Sequence, residues 1–417
     1  MPYQVHIDIS TNAIQNLVQY CKNLTEEQFT IISDTNTYAA LGERVRNALI
    51  AADLPVTNIV LEGEEIVSDE VYLTRALVQS SATDQVFVAV GSGTLTDIAR
   101  YISYRTRNRF IAVPSAPSVD GFVSPGAPLV VGGIKETYPA RPPIAVFADL
   151  ATLTAAPTEL KAAGVGDIIG KTTSLADWKL AHLLWDTPHD AAVEQRIRQA
   201  VQNCIDGLDE IVANSETGMA CLMEALIESG LGMLEFGNSQ PASGSEHHCS
   251  HFWELQLLKA HKPAILHGAK VGFATILISK QYERLRHLAR TEVSDMLEAA
   301  NLREAGETVN EIRQSYDQIA DDVIRIQAPF LEMTDNAYRQ LKTRILESWS
   351  AVQEIADTVL APAEITEILM KVGSPVNEEQ LGIEQVLVKQ ALLYGHYLRD
   401  RFTVLKLFNI MGIEAMV

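Results

Sequence analysis

The chain contains 417 residues, of which 47% are hydrophobic and 21% charged, a composition typical of globular proteins. Single hydrophobic cores stop growing at roughly 250–300 residues, so this length favours two domains. The formal net charge of -20 argues against nucleic-acid binding, which needs a basic surface. Any anionic substrate therefore requires a local positive site.

The cysteines and the N-terminal sequence provide evidence about the cellular location of the protein. Four cysteines are scattered without a CxxC pair, which is typical of reduced thiols in a cytoplasmic protein. The first residues, Met1 to His6, lack the apolar stretch of a signal peptide. No run of about 18 apolar residues occurs, so we expect no membrane span and a cytoplasmic location.

Short β-rich runs alternate with helical patterns over the first 150 residues. Alternation of this kind predicts a doubly wound parallel sheet, and continuous apolar runs are typical of strands that are covered on both faces. The predicted strands span residues 29–33, 57–61, 86–90, 110–113 and 144–148, and the predicted helices lie near 38–51, 69–79 and 95–104.

After residue 152 the pattern becomes helical, and no strand is predicted. We therefore expect an α/β Rossmann-like domain with a parallel sheet over residues 1–152. An all-α domain is expected over residues 153–417. Helical periodicity is clearest at residues 191–213, 218–236, 268–281, 309–325 and 379–400.

A glycine turn, Gly91-Ser92-Gly93, follows the predicted strand at 86–90 and precedes a helix. Glycine permits a tight bend and close approach of a phosphate to the free N–H groups of a helix N-terminus. The third glycine of the dinucleotide-binding fingerprint is missing, so a plain tight turn is an equal alternative. Asp34, after the first predicted strand, either accepts hydrogen bonds from a ribose or caps the next helix.

A long glycine- and proline-rich loop, residues 113–126, follows the fourth predicted strand. Loops at the carboxyl ends of parallel strands are where open α/β sheets bind ligands. Asp120 and Ser124 are its candidate functional residues. For Asp120, a local turn before Gly121 is the alternative.

A histidine-rich segment provides a candidate metal site. His247 and His251 share one helix face because they are four residues apart, whereas His248 lies about 100° around the helix. The chain also offers a third histidine, His267, and a carboxylate upstream, Asp167. Two of these imidazoles together with the carboxylate would form the ligand set of a catalytic divalent metal. A salt-bridged Asp167 or a loop position for His267 is the alternative.

The spacing of Ser243 and Glu246 predicts a capping box at the start of this helix.

Five motifs, in this order, resemble the sn-glycerol-1-phosphate dehydrogenase family, in its bacterial branch. That family belongs with glycerol dehydrogenases, iron-containing alcohol dehydrogenases and dehydroquinate synthases. The motifs are VGSGTLTD (90–97), PSAPSVDG (114–121), GVGDIIGK (164–171), SGSEHHCSH (243–251) and HGAKVG (267–272).

The resemblance implies a dehydroquinate synthase-like fold, with a nicotinamide-cofactor-binding domain over residues 1–152 and a metal- and substrate-binding domain over residues 153–417. It also implies a role for each matching residue. Asp167, His247 and His267 fall on metal-ligand positions. Asp120 and His251 fall on catalytic and substrate positions, and Asp167 is expected to contact substrate as well as metal. The nicotinamide-cofactor positions are Asp34, Gly93, Thr94, Leu95, Thr96, Asp97, Ser115, Ala116, Pro117, Ser118 and Ser124.

The implied activity is the interconversion of dihydroxyacetone phosphate and sn-glycerol 1-phosphate with NAD(H) or NADP(H) and one divalent metal, nickel or zinc. A glycerol, polyol or alcohol dehydrogenase of the same superfamily is the alternative. The resemblance also implies a role in phospholipid biosynthesis, and apolar helix stripes suggest a homodimer. The candidate cations for the substrate phosphate are Lys135, Arg141, Lys171 and Lys270.

Overall fold

The computed structural model describes residues 4–25, 28–132 and 134–417. Its strands are β1 (His6–Ser10), β2 (Phe29–Asp34), β3 (Val56–Leu61), β4 (Val86–Gly91), β5 (Arg109–Pro114), β6 (Gly126–Val131), β7 (Ile134–Pro139) and β8 (Ala145–Asp149).

The helices of the first part of the chain are α1 (Ala13–Lys22), α2 (Thr35–Thr37), α3 (Glu43–Ala51), α4 (Glu70–Gln79), α5 (Gly93–Arg105), α6 (Leu150–Ala155), α7 (Thr158–Trp185), α8 (Ala191–Asp206), α9 (Leu208–Val212) and α10 (Glu216–Phe236). They are followed by α11 (Ser245–Lys259), α12 (His267–His287), α13 (Arg290–Ala299), α14 (Ala305–Tyr316), α15 (Ala320–Ile326), α16 (Ala328–Leu331), α17 (Asp335–Glu347), α18 (Trp349–Asp357), α19 (Pro362–Lys371), α20 (Glu378–Leu381), α21 (Gln385–Tyr394) and α22 (Val404–Met411).

Six strands form a parallel sheet in the order β1-β8-β5-β4-β2-β3. β3 lies at one edge beside β2, whereas β4 follows on the other side of β2, so the strand order reverses between β2 and β4. In open α/β sheets such a reversal point is where ligands bind. The register places the ends of β4 and β5 side by side, with Gly91 opposite Pro114.

Buried apolar side chains explain the layers of this sheet. Leu17 of α1 and Leu49 of α3 belong to one fully buried cluster with Phe29, Val88 and Phe147 of the strands. The strand interiors are apolar along their length because helices cover both faces. The predicted parallel α/β region and helical second half are confirmed.

Several elements were not predicted. The edge strand β1 and helix α1 precede the first predicted strand, and β6 pairs with β7 in a separate antiparallel hairpin. Helix 38–51 begins with a π-helical turn, Tyr38–Gly42. Residues 150–417, all described, contain helices and loops but no strand. Segment 309–325 is interrupted at Asp317, whose φ is 49°.

The chain divides into two compact units, Met1–Ile168 with Gln199–Ser239, and Ile169–Arg198 with Gln240–Val417. Helices α7 and α8 each contribute residues to both units. The functional division at residues 152/153 stays a prediction. Among the described residues, no helix is both long enough and apolar enough to cross a membrane.

Candidate metal centre and nucleotide cavity

A polar cavity of about 350 Å³ lies at the carboxyl ends of β2, β3 and β4. Three of the predicted cofactor residues line it: Asp34, Thr94 and Leu95. The other lining residues are Thr35, Asn36, Gly63, Glu64, Ile66 and Ser92. Its position at the reversal of strand order is that of a nucleotide site in this class of sheet.

Asp34 caps a helix and lines the cavity at the same time. Its Oδ1 accepts a hydrogen bond of 2.7 Å from the backbone N–H of Thr37, and the Thr37 hydroxyl accepts one of 3.0 Å from the N–H of Asp34. The capping alternative is therefore realised. It leaves room for a ribose contact, because a carboxylate accepts several hydrogen bonds.

Other predicted cofactor residues have internal partners. The Thr96 hydroxyl donates to the carbonyl of Ser92 at 3.1 Å, so it is directed into its own helix. The N–H of Ser115 donates to the carbonyl of Gly91 at 3.1 Å, which ties the loop to the glycine turn. Ser124 Oγ accepts from the N–H of Gly126 at 3.2 Å and closes the end of the loop.

Arg100 of α5 organises this loop. Its fully buried guanidinium donates to the carbonyls of Gly121, Phe122 (2.9 Å) and Gly126 (3.0 Å). Asp97 Oδ1 lies 2.5 Å from Arg100 Nη1 and supplies the counter-charge. Asp97, predicted as a cofactor residue, thus stabilises the loop through Arg100. The role of Arg100 was not predicted.

Two glycines let the loop approach the helices closely. A Cβ atom at Gly164 of α7 would lie 1.9 Å from the carbonyl oxygen of Pro117. One at Gly230 of α10 would lie 2.6 Å from the carbonyl oxygen of Asp120. No side chain fits at either distance, so glycine is required for this packing. Ala116 and Pro117 are therefore buried under α7 and α10.

Asp120 is fixed by hydrogen bonds through both its backbone and its side chain. Its backbone N–H donates to Asp167 Oδ2 at 2.9 Å, and its own Oδ2 accepts from Ser229 Oγ at 2.8 Å. The side chain does not cap the short 3-10 turn that follows it. The local-turn alternative is therefore wrong, and Asp120 is buried beside a predicted metal ligand.

The three predicted metal ligands come together. One ligand atom each from Asp167, His247 and His267 lies within 4.8 Å of the other two. The ring centroids of His247 and His267 are 5.2 Å apart. His251 lies beside them, with its ring centroid 5.6 Å from that of His267. Two imidazole nitrogens and one carboxylate oxygen fit a divalent transition metal.

Glu246 orients the imidazole of His247. Its Oε1 lies 2.7 Å from His247 Nδ1 and accepts a second hydrogen bond of 2.7 Å from the N–H of Gly244, and its Oε2 accepts one of 2.7 Å from the Thr173 hydroxyl. With Nδ1 engaged, Nε2 is the nitrogen available to a cation. This carboxylate–histidine arrangement is common around protein metal sites.

Burial favours the neutral forms of the Glu246 carboxyl group and the His247 imidazole. It raises the pKa of Glu246 to about 7, with the nearby Asp177 carboxylate adding to the effect. Burial, followed by the positive charge of Lys171, lowers the pKa of His247 well below its ordinary value. A neutral imidazole presents the lone pair that a metal requires.

The predicted capping box of Ser243 and Glu246 is wrong. Helix α11 begins at Ser245, and no side chain caps it from the Gly244 position. Asp177 of α7 accepts a hydrogen bond of 2.7 Å from the N–H of Ser245 instead. It also accepts from the Tyr282 hydroxyl at 2.6 Å and the Val404 N–H at 2.7 Å. Because Asp177 is 68 residues from Ser245, no local sequence pattern indicates this contact.

His251 has a carboxylate neighbour that was not predicted. Its Nδ1 lies 3.3 Å from Oε2 of Glu254, which follows three residues later on α11. The other oxygen of Glu254 lies 3.5 Å from Nζ of Lys270, which is 1% exposed. The i,i+3 spacing of His251 and Glu254 was a signal that could have identified this pair from sequence.

The other candidate cations for the substrate phosphate lie at positions separate from one another. Lys171 is fully buried and donates to the carbonyl of Ala242 at 3.0 Å. The guanidinium of Arg141 lies 5.5 Å from the Tyr104 ring centroid. Lys135 lies on β7 and is partly exposed.

The chain is similar to known proteins in sequence and in fold. Residues 8–157 match the family model described as iron-containing alcohol dehydrogenase. The fold is similar to a probable glycerol dehydrogenase from Sinorhizobium meliloti, with a TM-score of 0.54 and 18% identity, covering 86% of this chain and 98% of that one.

Two curated relatives cover almost the whole chain. A glycerol-1-phosphate dehydrogenase (NAD(P)+) of Geobacillus stearothermophilus is 36% identical over 405 residues, covering 96% of this chain and 91% of the relative. One from Halalkalibacterium halodurans is 37% identical over 406 residues, covering 97% and 92%. The expected bacterial branch is confirmed, and the chain belongs to the glycerol-1-phosphate dehydrogenase family.

Proposed function

We propose that this protein is a metal-dependent oxidoreductase that interconverts dihydroxyacetone phosphate and sn-glycerol 1-phosphate with NAD(H) or NADP(H). The observation that carries the proposal is the convergence of Asp167, His247 and His267 within 4.8 Å. The names of the curated relatives support the substrate assignment.

Asp167 Oδ, His247 Nε2 and a ring nitrogen of His267 would hold the cation. When bound, a divalent cation supplies Lewis acidity toward the C2 oxygen of the substrate. Nickel and zinc both accept this ligand set, and we propose one of them as the physiological metal. Glu246 supports the site by fixing the ring of His247 through Nδ1.

His251 and Asp120 are the proposed catalytic residues of the chain. We assign His251 Nε2 to deliver the proton that the C2 oxygen needs during reduction, because Nδ1 lies beside Glu254. Asp120 would orient a substrate hydroxyl. Its carboxylate is already fixed by Ser229, so it loses little further freedom on binding.

The cavity lined by Asp34, Ser92 and Thr94 is the proposed site of the nicotinamide cofactor, whose chemistry is hydride transfer. The N–H groups at the start of α5 would receive the pyrophosphate. Asp34 and Glu64 share this cavity, and two carboxylates repel a 2′-phosphate, so NADH is the favoured form.

We further propose a cytoplasmic homodimer that serves phospholipid biosynthesis. Exposed apolar side chains on the C-terminal helices support the dimer: Met370 (63% exposed), Val386 (52%) and Leu393 (42%). Light scattering after size-exclusion chromatography measures the mass of the assembly, and a single-chain mass would contradict this part of the proposal.

The decisive assay uses metal-loaded protein with dihydroxyacetone phosphate and NADH, with the chirality of the product determined. We expect turnover to sn-glycerol 1-phosphate and little oxidation of free glycerol. Robust oxidation of glycerol would favour a glycerol dehydrogenase. An absence of turnover with metal, nucleotide and either substrate would contradict the proposed enzyme.

A further inference from the structure

A smaller cavity, of about 40 Å³, lies among the C-terminal helices, is lined by both apolar and polar residues, and contains no residue assigned to the proposed reaction. Lys406 of α22 lines it and is only 2% exposed. The other polar lining residues are Asn301, Arg303, Thr308, Gln327, Tyr338, Tyr397 and Asn409.

The Lys406 ammonium has aromatic and amide neighbours. It donates a hydrogen bond of 2.7 Å to Oε1 of Gln327. It lies 4.1 Å from the ring centroid of Phe330 and 5.2 Å from that of Tyr397. An ammonium carries three donors, and only one of them has an acceptor among the described residues.

The nearby carboxylate of Glu311 is occupied by other groups. Its Oε1 lies 2.5 Å from Arg303 Nη2, and its Oε2 lies 3.0 Å from Arg303 Nη1. The Tyr397 hydroxyl donates to Oε2 at 2.8 Å. Arg303 and Glu311 therefore neutralise each other. Within the described part of the chain, Lys406 forms no ion pair.

A buried cation without a counter-ion is costly. Cation–π contacts offset only part of the free-energy penalty for burying an ion. Burial accordingly lowers the pKa of Lys406 to about 7. An anion in the adjoining cavity would remove this imbalance.

We infer that the cavity beside Lys406 binds a small oxyanion, a carboxylate or a phosphate group, outside the proposed catalytic site. The ammonium supplies the charge, and the amides of Asn301 and Asn409 supply neutral donors at the rim. The cavity has room for a group of a few atoms and excludes a nucleotide. Ordered water is the competing occupant.

Two variants separate these occupants. Lys406→Met removes the charge while keeping the length of the side chain. Asn409→Asp places a carboxylate one helical turn from Lys406, because the two residues are three apart on α22. It would supply an internal counter-ion and displace an external one.

The experiment measures Tm of the metal-loaded protein against phosphate and acetate, with chloride at equal ionic strength as the reference. At 100 times its Kd an oxyanion stabilises by about 2.7 kcal/mol, which raises Tm by a few degrees. We expect this rise in the wild type and its loss in both variants. An unchanged rise in both would locate the anion elsewhere.

A structural measurement covers the case in which Lys406→Met does not fold. Wild-type crystals soaked in arsenate should give an anomalous arsenic peak in this cavity, with an arsenate oxygen within hydrogen-bond distance of Lys406 Nζ. A water-sized peak without anomalous signal, or a wild-type Tm that does not respond to phosphate or acetate, would overturn the inference. Neither result depends on catalytic turnover.

Discussion

The loop between β5 and β6 and the histidine cluster of α11 and α12 are held by different means. The loop backbone lies against Gly164 and Gly230, where a single methyl group would not fit. The imidazoles of His247 and His251 lie beside carboxylates, Glu246 and Glu254. The loop depends on steric fit in addition to the hydrogen bonds from Arg100, whereas the histidine cluster depends on charge and hydrogen bonding.

This difference determines which substitutions each region tolerates. In the loop, the carbonyl oxygens of Pro117 and Asp120 lie against Gly164 and Gly230. A larger side chain at either glycine would therefore destabilise this packing. In the histidine cluster, a substitution that keeps volume but removes a charge or an acceptor is harmful. Variants that change volume and charge separately therefore test the comparison.

Removing one imidazole should have the largest effect. His267→Ala leaves two ligands, and loss of Lewis-acid stabilisation worth several kcal/mol lowers turnover by at least about 10³-fold. Metal content should fall in parallel while circular dichroism stays unchanged. His287→Ala, an exposed histidine at the other end of the same helix, is the control. Full turnover in His267→Ala would show that this imidazole does not hold a catalytic metal.

A methyl group under the loop should have the next largest effect. Gly164→Ala creates a contact of 1.9 Å with the Pro117 carbonyl oxygen, which forces the loop or α7 to move. We expect destabilisation of about 1–3 kcal/mol, measured by denaturant unfolding, with weaker NADH binding by fluorescence titration. Gly306→Ala in α14, where nothing lies within 4 Å, should instead stabilise by about 0.4–1 kcal/mol. Equal effects of the two substitutions would contradict the steric account.

The sequence predicted the parts of the fold and site that leave a local pattern. Apolar runs identified β2, β3, β4, β5 and β8, and helical spacing predicted that His247 and His251 share one face. The hairpin β6–β7 was missed because Pro128 interrupts the apolar run of β6, and because the sequence of β7, IKETYP, contains no apolar run.

Long-range contacts were beyond local patterns. Asp177 and Ser245 are 68 residues apart, so nothing near Ser245 indicates its partner. The sequence around Arg100 predicts only a helix, because the partners of this side chain are backbone carbonyl groups of the loop that follows β5. Lys406 lies in an apolar helix whose pattern predicts burial, yet its lack of a counter-ion becomes visible only when its neighbours are known.

Glu254 allows the finest test of the charge-dependent region, because it contacts His251 without being a metal ligand. Glu254→Ala removes the acceptor beside His251 Nδ1, whereas Glu254→Gln keeps an acceptor and loses the negative charge beside Lys270. A hydrogen bond to a charged group is worth about 1.5–3 kcal/mol, so kcat should fall about tenfold or more in the alanine variant and less in glutamine.

A positioning role predicts that KM for dihydroxyacetone phosphate changes little, since the lost interaction serves proton transfer. Glu384→Gln, which removes an exposed carboxylate paired with Lys262, is the matched control for loss of charge. If Glu254→Ala raised KM and left kcat intact, Glu254 would act on substrate binding instead. In that case steric fit alone would suffice to hold His251, and the contrast between the two regions would fail at this residue.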